Sequence, residues 1–170
     1  METIPIACAI YKWKVSEHPE IKEALLSAIE ARASTPSVEG NSNISNTDWA
    51  EYDWGEVSPY FKILEPLISG CIQELSETLN SPESGRTLRA GNHWFQQYER
   101  GDYHGWHSHP ESDYSSVYYV NLPEGTATKF RSSEGEVSID VSEGDYVVFP
   151  SGLYHHSPVN THSDKKTIIA

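Results

Sequence analysis

Apolar positions along this chain follow two different periods. Ile21, Leu25 and Ile29 recur every fourth residue, which draws one helical stripe from Pro19 to about residue 32. Pro19 suits the first turn, where a missing N–H is no loss, and Glu20 and Glu23 lie near the positive end of the helix dipole. Leu64, Ile68, Ile72, Leu75 and Leu79 draw a second stripe. Its start is open between the cap-like pair Ser58-Pro59 and Pro66, which is either a first-turn proline or a kink. Two helices alone bury too little surface for a bundle, so both are expected to pack on a sheet.

After residue 85 the period shortens to two. Arg86–Glu99, Ser115–Asn121, Thr126–Phe130, Glu136–Asp140 and Asp145–Phe149 read as short strands, broken by Gly101, Pro123-Glu124-Gly125, Ser133-Glu134-Gly135 and Glu143-Gly144. The gaps have no room for the helical crossovers of a parallel sheet, so a small antiparallel barrel or jelly roll is expected. Between the helices, residues 34–58 are rich in Ser, Thr, Asn, Pro and Gly yet carry Trp49, Tyr52 and Trp54. They read as an ordered loop pinned by aromatics. The whole is mainly β with α. It is expected to form a single domain over 1–170, with helical support and loop over 1–85 and a β core over 86–170.

Composition narrows the classes of function. With 12 basic against 25 acidic residues the formal charge is −13, the wrong sign for neutralising a phosphate backbone, so no nucleic-acid partner is expected. Hydrophobic residues at 37% and aromatics at 11% indicate a packed globular chain. Cys8 and Cys71 are the only cysteines, too few for a disulfide framework or a thiolate metal cluster. No apolar run approaches the roughly 18 residues of a membrane span. The Met1-Glu2-Thr3 start lacks a basic leader, so a cytoplasmic protein without a membrane partner is expected.

One count stands out. Seven of eight histidines, at 93, 104, 107, 109, 155, 156 and 162, fall between residues 93 and 162, where even scatter would place about three. In His107-Ser108-His109, residues two apart on a strand share a face, so both imidazoles can reach one point. Some fifty residues on, Gly144 to Phe149 reads as a strand, Pro150-Ser151-Gly152 as a turn, and His155-His156 follows. A lone strand histidine is ordinarily solvated or hydrogen-bonded, and an H-x-H pair says little by itself. Pair, turn, later histidine and clustering together predict a facial three-nitrogen metal site with open positions opposite. Neighbours on a strand face opposite ways, which favours His155 over His156. His93 and His104 read as bystanders or supporting groups, and His162 as a loop residue. Zinc, iron, manganese and nickel all accept imidazole. A hydrolytic zinc enzyme calls for H-E-x-x-H, which is absent, and an open facial site in a β-roll points to iron.

Residues 90–170 resemble the 2-oxoglutarate/Fe(II)-dependent oxygenase superfamily, especially small bacterial and phage oxygenases related to the prolyl-hydroxylase group. Tyr98-Glu99-Arg100-Gly101-Asp102-Tyr103, His107-Ser108-His109 and Val117-Tyr118-Tyr119-Val120-Asn121 look like that group's Y-x-x-G-x-Y, H-x-D and YYLN-type segments. Glu143-Gly144-Asp145 through Phe149-Pro150 and His155 resembles its distal-ligand strand, and Asn46-Thr47-Asp48-Trp49 is a fainter echo. The resemblance implies a double-stranded β-helix with N-terminal supporting helices, and Fe(II) with 2-oxoglutarate as cosubstrate. It implies hydroxylation of a C–H bond in a small-molecule or peptide substrate. By position, His107 and His155 would ligate iron, while His109 stands where the superfamily has Asp or Glu. Glu111 and Asp113 could supply a carboxylate only if the strand ends early. Lys166 stands at the cation that pairs with the cosubstrate's far carboxylate, with Lys165 as the neighbouring alternative; many relatives have Arg there, a fork where Lys is a point charge. Tyr98 and Tyr119 match positions lining the cosubstrate pocket, although strand tyrosines also serve simply as packing.

Two other readings use the same residues. A cupin-type metal enzyme or binding module shares the β-roll, and Gly101 with His107-Ser108-His109 fits the start of its first motif, but Glu111 comes too soon for its glutamate. A non-enzymatic structural β-roll is the remaining alternative, and nothing structural calls for this histidine spacing.

Overall fold

In the computed structural model, residues 8–38, 40–51, 56–79 and 87–170 are described. The chain opens with strand β1 (Tyr11–Lys14) and helix α1 (His18–Glu30), followed by β2 (Thr35–Ser37) and β3 (Ser42–Thr47). A 3-10 turn at Trp49–Glu51 leads to helix α2 (Pro59–Leu79). Then come β4 (Phe95–Tyr98), β5 (Tyr103–His107), β6 (Tyr114–Asn121), β7 (Lys129–Ser132), β8 (Gly135–Ser138), β9 (Asp145–Pro150), β10 (His155–Ser157) and β11 (Lys166–Ile169).

The strands form one antiparallel sheet in the order β1-β9-β6-β11-β4-β3-β5-β10-β7-β8, with β2 beside β3. The sheet curls on itself as a jelly roll, or double-stranded β-helix, with both helices on one outer face. Strand β3 belongs to both walls. Its end pairs with β4 at Asn46–Gln97 and Thr47–Gln96, while its start pairs with β5 at Ser42–His104 and Asn43–Tyr103.

Alternation along the strands separates two cores. Phe95, Tyr118, Val120, Tyr146, Val148 and Ile169 pack against Leu25 and Ile29 of α1 and Tyr60, Leu64, Ile68 and Leu75 of α2. Their sequence neighbours Val117, Tyr119, Val147, Phe149 and Ile168, with Tyr98 and Phe130, fill the interior of the roll. Strands such as β6 are buried on both faces, and so read as continuous apolar runs.

Both helices lie on the sheet, as the stripes require. Helix α2 starts at Pro59 and runs through Pro66, which is therefore interior, not a first turn. The 34–58 segment is not a loop throughout. Strands β2 and β3 form inside it, because their polar residues answer to ladder hydrogen bonds that local composition does not report. Trp49 sits in the 3-10 turn, and Tyr52, Trp54 and Arg86 lie outside the described residues. Of the expected Arg86–Glu99 run only Phe95–Tyr98 is strand, and the expected Thr126–Phe130 run is displaced to Lys129–Ser132. Strand β1, an edge strand on β9, has no counterpart in the sequence reading.

Asp48 is the fully buried anchor between the layers. Its Oδ2 accepts from Arg32 Nε at 3.2 Å and Tyr60 Oη at 2.8 Å, and its Oδ1 accepts from the Phe95 amide at 2.9 Å. One carboxylate thus ties the end of α1, the start of α2 and β4. Removing it strands a half-buried guanidinium and two donors. Asp48→Ala is expected to cost about 3 kcal/mol of stability, read as a lowered urea midpoint with unchanged slope.

Candidate metal centre

The interior is arranged by an irregularity in β5. Opposite β10, His107 pairs with His155 and His104 with Ser157, so three steps along one strand face two along the other. This is a β-bulge, and it cancels the alternation between residues 104 and 107. His104 and His107 both turn inward, their rings stacked 3.8 Å apart and 14° from parallel. Trp106 turns outward against His156, with ring centroids 4.1 Å apart. Gly105 makes the bulge possible. A Cβ there would lie 2.6 Å from the Asn41 carbonyl oxygen, which accepts the Gly105 amide at 3.0 Å.

Strand β5 ends at His107, so His109 is not on the strand. Its amide donates to the Ser151 carbonyl at 2.9 Å, which keeps the chain extended and returns the ring to the same interior. His155 faces inward from β10, and His156 faces outward to Glu136 Oε2 at 3.1 Å. One nitrogen each from His107, His109 and His155 lie within 4.8 Å of one another. Ring centroids are 4.2 Å apart for His107 and His155, 5.0 Å for His107 and His109, and 5.3 Å for His109 and His155.

Two of these rings have their protons placed by the backbone. His107 Nδ1 donates to the Gly105 carbonyl at 2.7 Å, and His155 Nδ1 donates to the Leu153 carbonyl at 2.8 Å. A carbonyl can only accept, so Nε2 of each ring keeps its lone pair, as a metal requires. Burial lowers the pKa of all three, to about 3 for His155, where neighbouring imidazoles add to the effect. Three neutral nitrogen donors at one point fit a divalent transition metal. Glu111 and Asp113 are not in the group. Although the strand ends early, Glu111 is exposed and reaches only His109 Nδ1, at 3.7 Å.

Lys166 lies in the same interior. It is completely buried, and its Nζ donates to the Thr126 carbonyl and to Ser157 Oγ, each at 2.7 Å. The Tyr98 ring centroid is 5.0 Å from Nζ, and no carboxylate pairs with this ammonium among the described residues. Desolvation pushes its pKa down to about 7. Lys165 instead reaches outward toward Glu99, at 3.8 Å. Tyr98 Oη donates to Gln96 Oε1 at 2.7 Å, while Tyr119 Oη accepts from the Thr128 amide at 3.4 Å.

A cavity of about 670 Å³ opens onto the three histidines. Tyr98, His104, Ser157 and the stacked indoles of Trp49 and Trp94 also line it. Trp94 is 6.2 Å from the His109 ring, and Trp49 is 45% exposed. His93 is engaged at α2, where its Nε2 accepts the Ser58 amide at 3.2 Å. His162 Nε2 donates to the Glu124 carbonyl at 2.8 Å, in a loop. The residue that sequence reasoning set aside is His104. Its one local signal is Gly105, a glycine inside a strand pattern.

No family model matches this sequence, and neither does any curated protein. Solved structures do match. A prolyl-4-hydroxylase from Pseudomonas putida is similar over 95% of this chain and 90% of its own, with a TM-score of 0.68 at 17% identity. An oxidoreductase of the 2OG-Fe(II) oxygenase family from Burkholderia pseudomallei is similar over 94% and 82%, with a TM-score of 0.69 at 11% identity. The fold is that of the 2OG-Fe(II) oxygenases. It also appears in SnoN, an alpha-ketoglutarate-dependent epimerase from nogalamycin biosynthesis, over 95% and 76% at a TM-score of 0.66 and 12% identity.

The geometry sets expectations for single replacements. His107→Ala and His155→Ala are expected to lose bound metal, while His156→Ala retains it, as read by elemental analysis of protein purified without chelator. Gly105→Ala drives a Cβ into the Asn41 backbone. It is expected to lose about 1–3 kcal/mol in urea unfolding and to lose metal together with the bulge.

Proposed function

We propose that this chain is an Fe(II)- and 2-oxoglutarate-dependent dioxygenase that hydroxylates a C–H bond of a small-molecule or peptide substrate. The observation that carries the reading is the pairing, inside one roll, of three neutral imidazoles with a buried lysine that has no carboxylate partner among the described residues. A transition metal needs the first, and a dicarboxylate cosubstrate needs the second. His107, His109 and His155 would hold the metal on one face. When bound, iron with the 2-oxo acid supplies oxygen activation: one oxygen atom enters the substrate as hydroxyl, the other enters succinate, and carbon dioxide leaves.

The protein's own residues bind, orient and exclude water. Lys166 would hold the far carboxylate as a point charge, with the Tyr98 ring against the ammonium and Ser157 fixing its direction. Tyr119 closes the interior behind Thr128. His109 is neutral where the superfamily has a carboxylate, which leaves the centre one unit more positive. That favours an anionic chelating ligand over a neutral one. The backbone carbonyls of Gly105 and Leu153 hold His107 and His155 in the tautomer that ligates. Trp49 and Trp94 form an aromatic wall at the mouth, where a substrate would lie. The similar structures include a prolyl-4-hydroxylase and an epimerase from nogalamycin biosynthesis, which supports keeping both substrate classes open.

The test is stoichiometric succinate formation from 2-oxoglutarate by Fe(II)-loaded protein. Metal binding without 2-oxoglutarate binding would favour the cupin reading. Metal content unchanged in His107→Ala and His155→Ala would favour a structural roll. Lys166→Met is expected to keep its metal and lose 2-oxoglutarate affinity at least tenfold, measured by calorimetry. The affinity of the unsubstituted protein is expected to be flat below about pH 7 and to weaken above it, because the charged lysine is lost as pH rises through its lowered pKa.

A further inference from the structure

The interior holds a fourth imidazole to which the proposed function gives no task. His104 is 8% exposed and lines the cavity, yet its ring nitrogens hydrogen-bond to no described residue. A ring nitrogen that faces a cavity without a described protein partner is free to hydrogen-bond a ligand there. Two contacts locate that place. On one side the His104 ring stacks on His107, at 3.8 Å. On the other, His104 is the cross-strand partner of Ser157, whose hydroxyl oxygen accepts a hydrogen bond from Lys166 Nζ at 2.7 Å. His104 therefore stands against the clustered histidines and close enough to the buried ammonium to feel its charge.

We propose that His104 is a ligand-binding residue that donates a hydrogen bond to a carboxylate oxygen of the bound 2-oxo acid, an inference that rests on the oxygenase reading above. The bulge at Gly105 serves this role as well as the metal site, because without it His104 would face away from the roll. The rival role is packing. A ring stacked on His107 could matter only by holding that ligand in place, and then any flat ring would serve.

The test separates these roles with full-length protein. Metal content is measured by elemental analysis, and 2-oxoglutarate is titrated by calorimetry without oxygen into the Fe(II)-loaded chain. His104→Phe keeps a flat ring and removes both nitrogens, while His104→Gln restores an N–H donor. His104→Phe is expected to retain metal and to bind 2-oxoglutarate about tenfold more weakly, with part of the loss recovered in His104→Gln. Wild-type affinity in His104→Phe overturns the proposal, and so does loss of metal, which would make His104 a positioning residue for His107. A variant-free arm guards against misfolding. In Zn(II)-loaded wild type, the His104 imidazole N–H is expected to shift in proton–nitrogen spectra on adding 2-oxoglutarate, and an unmoved signal overturns the proposal. Failure of the metal-loaded wild type to bind 2-oxoglutarate would instead overturn the oxygenase reading itself.

Discussion

Between His155 and Ser157 the ladder advances two residues on β10 while β5 advances three, from His107 back to His104. The offset is enforced where Gly105 meets the Asn41 backbone, since no side chain fits there. Because of it, β5 places two imidazoles inside the roll where strict alternation would admit one. It also sends Trp106 outward to stack on His156, which closes the outer surface over the same irregularity. The carbonyl freed at Gly105 then accepts from His107 Nδ1 and sets that ring's tautomer. Backbone geometry, the orientation of the His107 ring and the position of its proton thus follow from one close approach.

The interior gathers groups that burial disfavours. The desolvated ammonium on Lys166 has a carbonyl, a hydroxyl and the Tyr98 ring about it but no carboxylate among the described residues, and four imidazoles crowd together where protonating any one disfavours the others. The chain offsets this cost in the rest of the roll. Tyr118, Tyr119, Val120, Val147 and Phe149 are essentially fully buried on its two faces, and Asp48 binds the helices to the sheet behind it. The scaffold thus carries the stability, while the interior concentrates the titratable groups.

Much of this was legible before any coordinates. The helical stripes and the two-residue period gave the layer order, because burying a face dictates a period wherever the face is extensive. The pairing of H-x-H with a later histidine pointed to the cluster, and strand parity separated His155 from His156. Failures occurred where tertiary contacts overrode local pattern. Polar β3 is a strand because β4 and β5 offer it partners, and β1 exists because β9 has an open edge. Parity itself misled at His104, since a period of two holds only while the ladder is regular. Had Gly105 been read as a bulge, His104 would have joined the cluster at once.

Strand β11, which carries Lys166, lies between β4 and β6, although it follows both in the chain. During synthesis β4 and β6 therefore leave the ribosome with their facing edges unpaired, and the sheet cannot close until a much later segment arrives between them. Until then two apolar edges remain open to wrong pairing with other chains. The strand that carries Lys166 thus also serves as the clasp of the fold, so the roll and its buried ammonium are completed in the same event.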